Sequence, residues 1–127
     1  MLAETWDQWF AKNRPAFDTI VGPIEEPHPA LLAARYINAL CLAIRQCDQP
    51  AFSLAIQLLC EDPRLPFGRG LKSQIARAFK AVAVVVNPYQ REQLLRYRDK
   101  LRKLPFPPRE LRYFESLVRT FDRFPPQ

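Results

Sequence analysis

The stretch NPYQREQLLRYRDKLRKL, Asn87–Leu104, decides the fold. Asn87 can accept a hydrogen bond as a helix N-cap, Pro88 stands where the first helical residue needs no N–H, and Gln90 at the third position completes a capping box. Leu94, Tyr97, Leu101 and Leu104 then recur at three- and four-residue spacing, which is the seam of an amphipathic helix. Pro105, Pro107 and Pro108 end it. The same punctuation recurs along the chain: of thirteen prolines against three glycines, most fall where a helix begins or ends. That distribution predicts an all-α, single-domain bundle of about six helices over residues 1–127.

Working outward, Thr5 with Gln8 caps a first helix whose stripe is Trp6, Trp9, Phe10 and Phe17, continued by Ile20 and Val21 past a restart or kink at Asn13 and Pro15. Gly22–Pro29 reads as a non-helical connector. Ala30–Cys47 is apolar nearly all round, which predicts a helix at the middle of the core. Asp48 and Pro50 open a shorter helix through Cys60, giving a helical hairpin across about three residues. Asp62–Gly70 is expected to be a surface loop. Leu71–Val86 is expected to be a helix with Leu71, Ile75, Phe79, Val82 and Val86 on one face, although Ala83–Val86 is rich in β-branched residues. The last helix runs from Arg109 to about Phe124 on a Leu111, Phe114, Val118 and Phe121 seam. The expected core is Leu40, Ile44, Phe52, Ile56, Leu59, Ile75, Phe79 and Val82.

The chain is electrostatically divided. Met1–Pro63 carries four Lys/Arg against eight Asp/Glu, and Arg64–Gln127 carries fifteen against five, so an acidic, aromatic half at −4 precedes a basic half at +10 and the whole is +6. A one-sided positive field attracts polyanions or acidic protein surfaces. Arginine outnumbers lysine fourteen to five, which favours bidentate contacts with phosphate or carboxylate, although genomic composition also produces such a bias. Cys41, Cys47 and Cys60 lack metal or redox spacing and read as reduced core thiols. The N-terminus carries Glu4 and Asp7 where an export signal needs basic then uninterrupted apolar residues, and Ala30–Cys47 is broken by Arg35, Asn38 and Arg45, so the expectation is a cytoplasmic protein without a membrane span.

Candidate binding residues lie in the basic half. Arg109, Arg112, Arg119 and Arg123 form one stripe on the last helix, opposite its apolar seam. Arg91, Arg98 and Arg102 flank one edge of the preceding helix's seam, with Arg96, Lys100 and Lys103 on the other. Lys72, Arg77 and Lys80 share the expected solvent side of the helix before, next to Arg69. Three basic faces in succession fit a surface that tracks a nucleic-acid backbone, with Tyr89, Tyr97, Phe106 or Tyr113 available to stack on bases. An acidic protein partner explains the same charges, and a single basic helix face is ordinarily just solvated. Tyr89, Gln90, Arg91 and Gln93 also have the residue types of a recognition helix, but the preceding turn lacks glycine. Arg102, Pro105 and Pro108 match a polyproline ligand, which helix punctuation explains better. The aromatic stripe Trp6, Trp9, Phe10 and Phe17 is either core or, if exposed, an interface for dimerisation or attachment to a complex.

Support for catalysis is thin. His28, the single histidine, lies between two prolines and reads as a cap or turn residue. Glu25 with Glu26 and Glu61 with Asp62 are adjacent and point apart on a helix. No phosphate loop, nucleophile motif or metal-ligand set is present, so no cofactor or metal is implied. In size, helical class and Arg-rich faces the chain resembles the small helical subunits of RNA-guided interference complexes, and that resemblance implies a non-catalytic subunit lining a nucleic-acid channel. The leading expectation is therefore a non-enzymatic helical subunit of a larger assembly that contacts a nucleic-acid backbone. The alternative is a stoichiometric protein-binding regulator, such as an inhibitor or anti-activator of a transcription factor, acting through its aromatic and apolar helices.

Overall fold

A computed structural model describes residues 4–66 and 70–126. Among these residues six α-helices follow in order: α1 (Trp6–Val21), α2 (Pro29–Arg45), α3 (Gln49–Glu61), α4 (Gly70–Ala81), α5 (Pro88–Arg102) and α6 (Leu111–Arg123), with a 3₁₀ turn at Ala83–Val85. The described residues contain no sheet. Their one bridge pairs Thr5 with Arg64, where Trp6 N–H donates to the Arg64 carbonyl at 3.0 Å.

Helices α2, α4, α6, α5 and α3 pack in sequence as a closed ring, since α3 also returns to α2, and α1 lies across α2 and α3. One apolar cluster fills the enclosed space, and it includes Leu40, Ile44, Phe52, Leu59, Ile75, Phe79, Leu94, Phe114 and Leu117. Of the expected core, Ile56 is at 9% exposure and Val82 is only half-buried against the cluster. Helix α2 contacts α1, α3 and α4, yet Leu31 and Leu42 remain 46% and 61% exposed. It is a hub with one open side, not the fully wrapped helix its composition predicts.

Both capping boxes form: Thr5 with Gln8, and Asn87 with Gln90. Helix α1 runs through Pro15. His28 is the N-cap of α2 without a side-chain cap bond. Three residues, Gln46–Asp48, link α2 to α3, with Cys47 in the left-handed region at φ 62°. The thiol expectation needs correction: Cys41 is buried, and burial raises its pKa to about 11, but Cys47 and Cys60 are exposed. Both sit at the ends of helices, where the apolar pattern no longer determines which way a side chain faces.

The helix expected over Leu71–Val86 stops at Ala81. Val82 sits at φ −124°, ψ 30°, and Val86 is extended. Two local causes converge here. The valines are stiff at χ1 and disfavour helix, and Asn87, preceding a proline, is driven out of the α region; it lies at φ −74°, ψ 167°. The break takes the Ala83 and Val86 carbonyls out of the α-helical ladder, although that of Ala83 still accepts from the Val86 N–H at 3.1 Å. Arg91 takes them up: it donates from Nη2 to the Ala83 carbonyl (2.7 Å) and from Nε to that of Val86 (2.8 Å). It also reaches the C-terminal end of α6, donating to the Phe121 (3.0 Å) and Phe124 (2.7 Å) carbonyls, with its guanidinium 4.6 Å over the Phe121 ring. Burial lowers the Arg91 pKa. It is a structural bolt, and the expectation that it binds a partner is corrected.

Lysine cannot reproduce a planar fork that bonds four carbonyls. Arg91→Lys is expected to destabilise the fold by about 1–3 kcal/mol, measured by denaturant unfolding. An unchanged midpoint would show that the bolt contributes nothing.

A basic groove between the fourth and sixth helices

Helix α6 buries Phe114, Leu117, Val118 and Phe121 against the core, which turns Arg112 and Arg119 outward. These two are seven residues apart, hence about 10 Å along one face. Helix α4, packed beside α6, buries Ile75, Ala76, Ala78 and Phe79 and so presents Arg77 and Lys80, three residues apart, to the same side. The packing of α2 on α4 brings in Arg45 from the last turn of α2. The result is an open groove of about 730 Å³ lined by Arg45, Arg77, Lys80, Ala81, Arg112, Tyr113, Ser116 and Arg119.

Five cations and no carboxylate line that groove. A second basin of about 550 Å³ shares Arg77, Arg112 and Tyr113 with it and adds Arg109, Gly70, Ser73, Gln74 and the buried Glu110. The groove thus extends past Arg112 toward the start of α6. Two contacts order its walls: Lys80 Nζ donates to Ser116 Oγ across the groove at 2.9 Å, and Arg112 Nη2 donates to the Tyr113 hydroxyl at 3.1 Å. That bond, with the nearby guanidinium charge, holds the Tyr113 phenol below its ordinary pKa.

Elsewhere several of the basic residues are neutralised within the fold. Among the described residues the ion pairs include Arg96–Glu92, Arg98–Asp99, Lys100–Asp62 and Arg102–Glu115, and none involves Arg45, Arg77, Lys80, Arg109, Arg112, Arg119 or Arg123. The expected binding set therefore divides. Lys80, Arg112 and Arg119 converge in the groove and Arg109 adjoins it, while Arg123 is exposed at the end of α6. Arg98 and Arg102 are taken up by acids on α5 and α6 and do not join it.

Lys72 is a clear correction. It is 7% exposed and bonds Asp62 and, at 2.9 Å, the Pro63 carbonyl, because its aliphatic stem covers core while its ammonium finds a carboxylate. Burial works to raise the Asp62 pKa, but hydrogen bonds from Lys100 and Lys72 outweigh it and hold the carboxyl below its usual range. Arg69 lies outside the described residues.

Trp6, Trp9, Phe10 and Phe17 are all at 8% exposure or less. Trp6 stacks on Phe10 at 5.0 Å, Phe17 meets Trp9 edge-on at 5.9 Å, and Trp9 Nε1 donates to Glu61 at 2.9 Å. They are core, not an exposed interface. The recognition-helix reading also fails in its residues, since Gln90 is buried in its capping box and Arg91 is bolted. Arg77, expected on the solvent side of its helix, lines the groove, and Arg45 completes it although it stood outside the expected basic faces. In sequence Asp48 stands three residues after Arg45, so nothing local marked that arginine as unneutralised.

Like charges gathered without counter-ions repel one another. Replacing Arg77 and Arg119 together by Gln is therefore expected to leave stability unchanged or raise it by a few tenths of a kcal/mol, more at low salt than at high. Chemical denaturation at two ionic strengths checks this, and a marked loss of stability would mean that these side chains hold the fold together.

No protein-family model, curated protein or solved structure matches this chain.

Proposed function

We propose that the chain is a non-catalytic nucleic-acid-binding module that holds a phosphate backbone in the groove between α4 and α6. The observation that carries this reading is the convergence of Arg45, Arg77, Lys80, Arg112 and Arg119 on one groove with no ion pair among the described residues. Guanidinium groups match phosphate bidentately, and cations without an acidic partner are free to neutralise phosphates and release the counter-ions condensed on a polyanion. The spacing of Arg112 and Arg119 suits a chain of successive phosphates better than one compact anion. Leu31 and Leu42, exposed on α2, support a place inside a larger assembly. The alternative, a protein-binding regulator, loses its aromatic anchor to the core and retains the exposed leucines of α2 and the basic groove, as a dock for an acidic surface.

Fluorescence polarisation with random-sequence DNA and RNA oligonucleotides tests the reading. With about five phosphate contacts, affinity should fall by roughly a hundredfold to several hundredfold between about 50 and 200 mM salt. Changing both Arg77 and Arg112 to Glu should weaken binding and flatten the slope of log affinity against log salt by about two contacts' worth, with the circular dichroism spectrum unchanged. Absence of any association with DNA or RNA at low salt would contradict the proposal and leave the acidic-protein reading in its place.

A further inference from the structure

The turn between α5 and α6 carries a side chain that the fold itself does not use. Phe106 is 88% exposed, the most exposed large apolar side chain among the described residues. Its setting is firm. Leu101 before it and Pro108 after it are buried, Leu104 N–H bonds the Leu101 carbonyl at 3.3 Å, and Leu111 N–H bonds that of Pro108 at 3.1 Å. Pro105 and Pro107 flank the ring and fix the backbone on both sides, so that little conformational entropy remains to be lost when the ring meets a ligand.

Its surroundings are positive. Lys103 and Arg109 are exposed, and neither is in an ion pair among the described residues. Arg109 is three positions after Phe106, so their Cα atoms lie no more than about 11 Å apart, and Arg109 lines the second basin of the basic groove. The other aromatic candidates are less available. Tyr97 is buried and packs edge-on to Phe114 at 4.8 Å. Tyr113 has the Arg112 guanidinium over its ring at 5.0 Å. Tyr89 is exposed but opens α5, about 20 Å of helix from the turn.

Taking the groove as a phosphate site, we infer that Phe106 is a base-stacking platform at its end, and that the preferred ligand is therefore single-stranded nucleic acid. Phosphates would lie along Arg77, Arg112 and Arg119 while an unpaired base covers the Phe106 ring. A duplex hides its base faces within the stack and presents phosphates and base edges to such a surface, whereas every unpaired base offers a π-face to an aromatic ring. The charge around Phe106 fits this occupant and opposes a basic or purely apolar one.

The test uses the full chain with a labelled thymidine oligonucleotide of about 15 nucleotides, as a single strand and as its duplex with the complementary strand. Wild type should bind the single strand more tightly. Phe106→Ala should weaken single-strand binding by about tenfold to a hundredfold and leave duplex binding and the salt slope unchanged, because no phosphate contact is removed. Phe106→Trp should bind the single strand like wild type, with its exposed indole emission quenched on binding. If wild type binds nucleic acid and Phe106→Ala loses no single-strand affinity, or loses equally on both ligands, the stacking inference is overturned and the groove reading stands. If wild type binds neither ligand, both fall together.

Discussion

One guanidinium ties the turn after α4 to the end of α6. The chain must turn sharply after α4, because residues 82–86 are poor helix formers and Asn87 is held extended by the proline that follows it. Such a turn exposes carbonyls at the point where α5 begins, and α6 comes back to end beside it with unsatisfied carbonyls of its own. Arg91 bonds both sets at once. Its position at the meeting point of two helix C-terminal regions is also where backbone dipoles favour a cation. Besides this link the return of α6 alongside α4 rests on apolar packing and the Lys80–Ser116 bond, and the register of α6 against α4 fixes which side chains face each other across the groove.

The distribution of charge then follows from that register. Helix α5 is as basic as its neighbours, but its cations meet acids: Arg96 with Glu92, Arg98 with Asp99, Lys100 with Asp62, Arg102 with Glu115. Exposed pairs of this kind contribute little to stability, yet they remove α5 from the positive field. Helices α4 and α6 face each other with arginines and a lysine and no carboxylate in the groove. A fold selected only for stability would interleave signs there, so the unbalanced cluster supports a partner that supplies the missing negative charge.

What the sequence made legible was what depended on near neighbours. The capping boxes at Thr5 and Asn87, the connector after Gly22, the hairpin at Gln46–Asp48 and the amphipathic seam of α6 all rest on residues within a few positions of one another, and the all-α class followed from them. The fate of individual cations was not legible in the same way. Lys72 and Asp62 are ten residues apart, Arg91 and Phe121 thirty, and Arg45 meets α4 and α6 only because α2 packs against α4. A basic residue on a helix looks alike in sequence whether it faces water, a carbonyl or a buried acid. The aromatic stripe of α1 posed the same problem, since its burial depends on Tyr36 of α2, 4.8 Å from Phe10, and on the end of α3.

The central claim is that negative charge enters the groove between α4 and α6 and extends toward the turn before α6. A titration of isotope-labelled protein with a single-stranded thymidine oligonucleotide, followed by heteronuclear NMR, reads this residue by residue. The account predicts that shifts concentrate at Arg45, Arg77, Lys80, Arg112, Tyr113 and Arg119 and continue through residues 104–109, while α1, α3 and the Arg98 and Arg102 side of α5 stay unchanged. Shifts centred on the paired arginines of α5, or on the open side of α2 around Leu31 and Leu42, would contradict it.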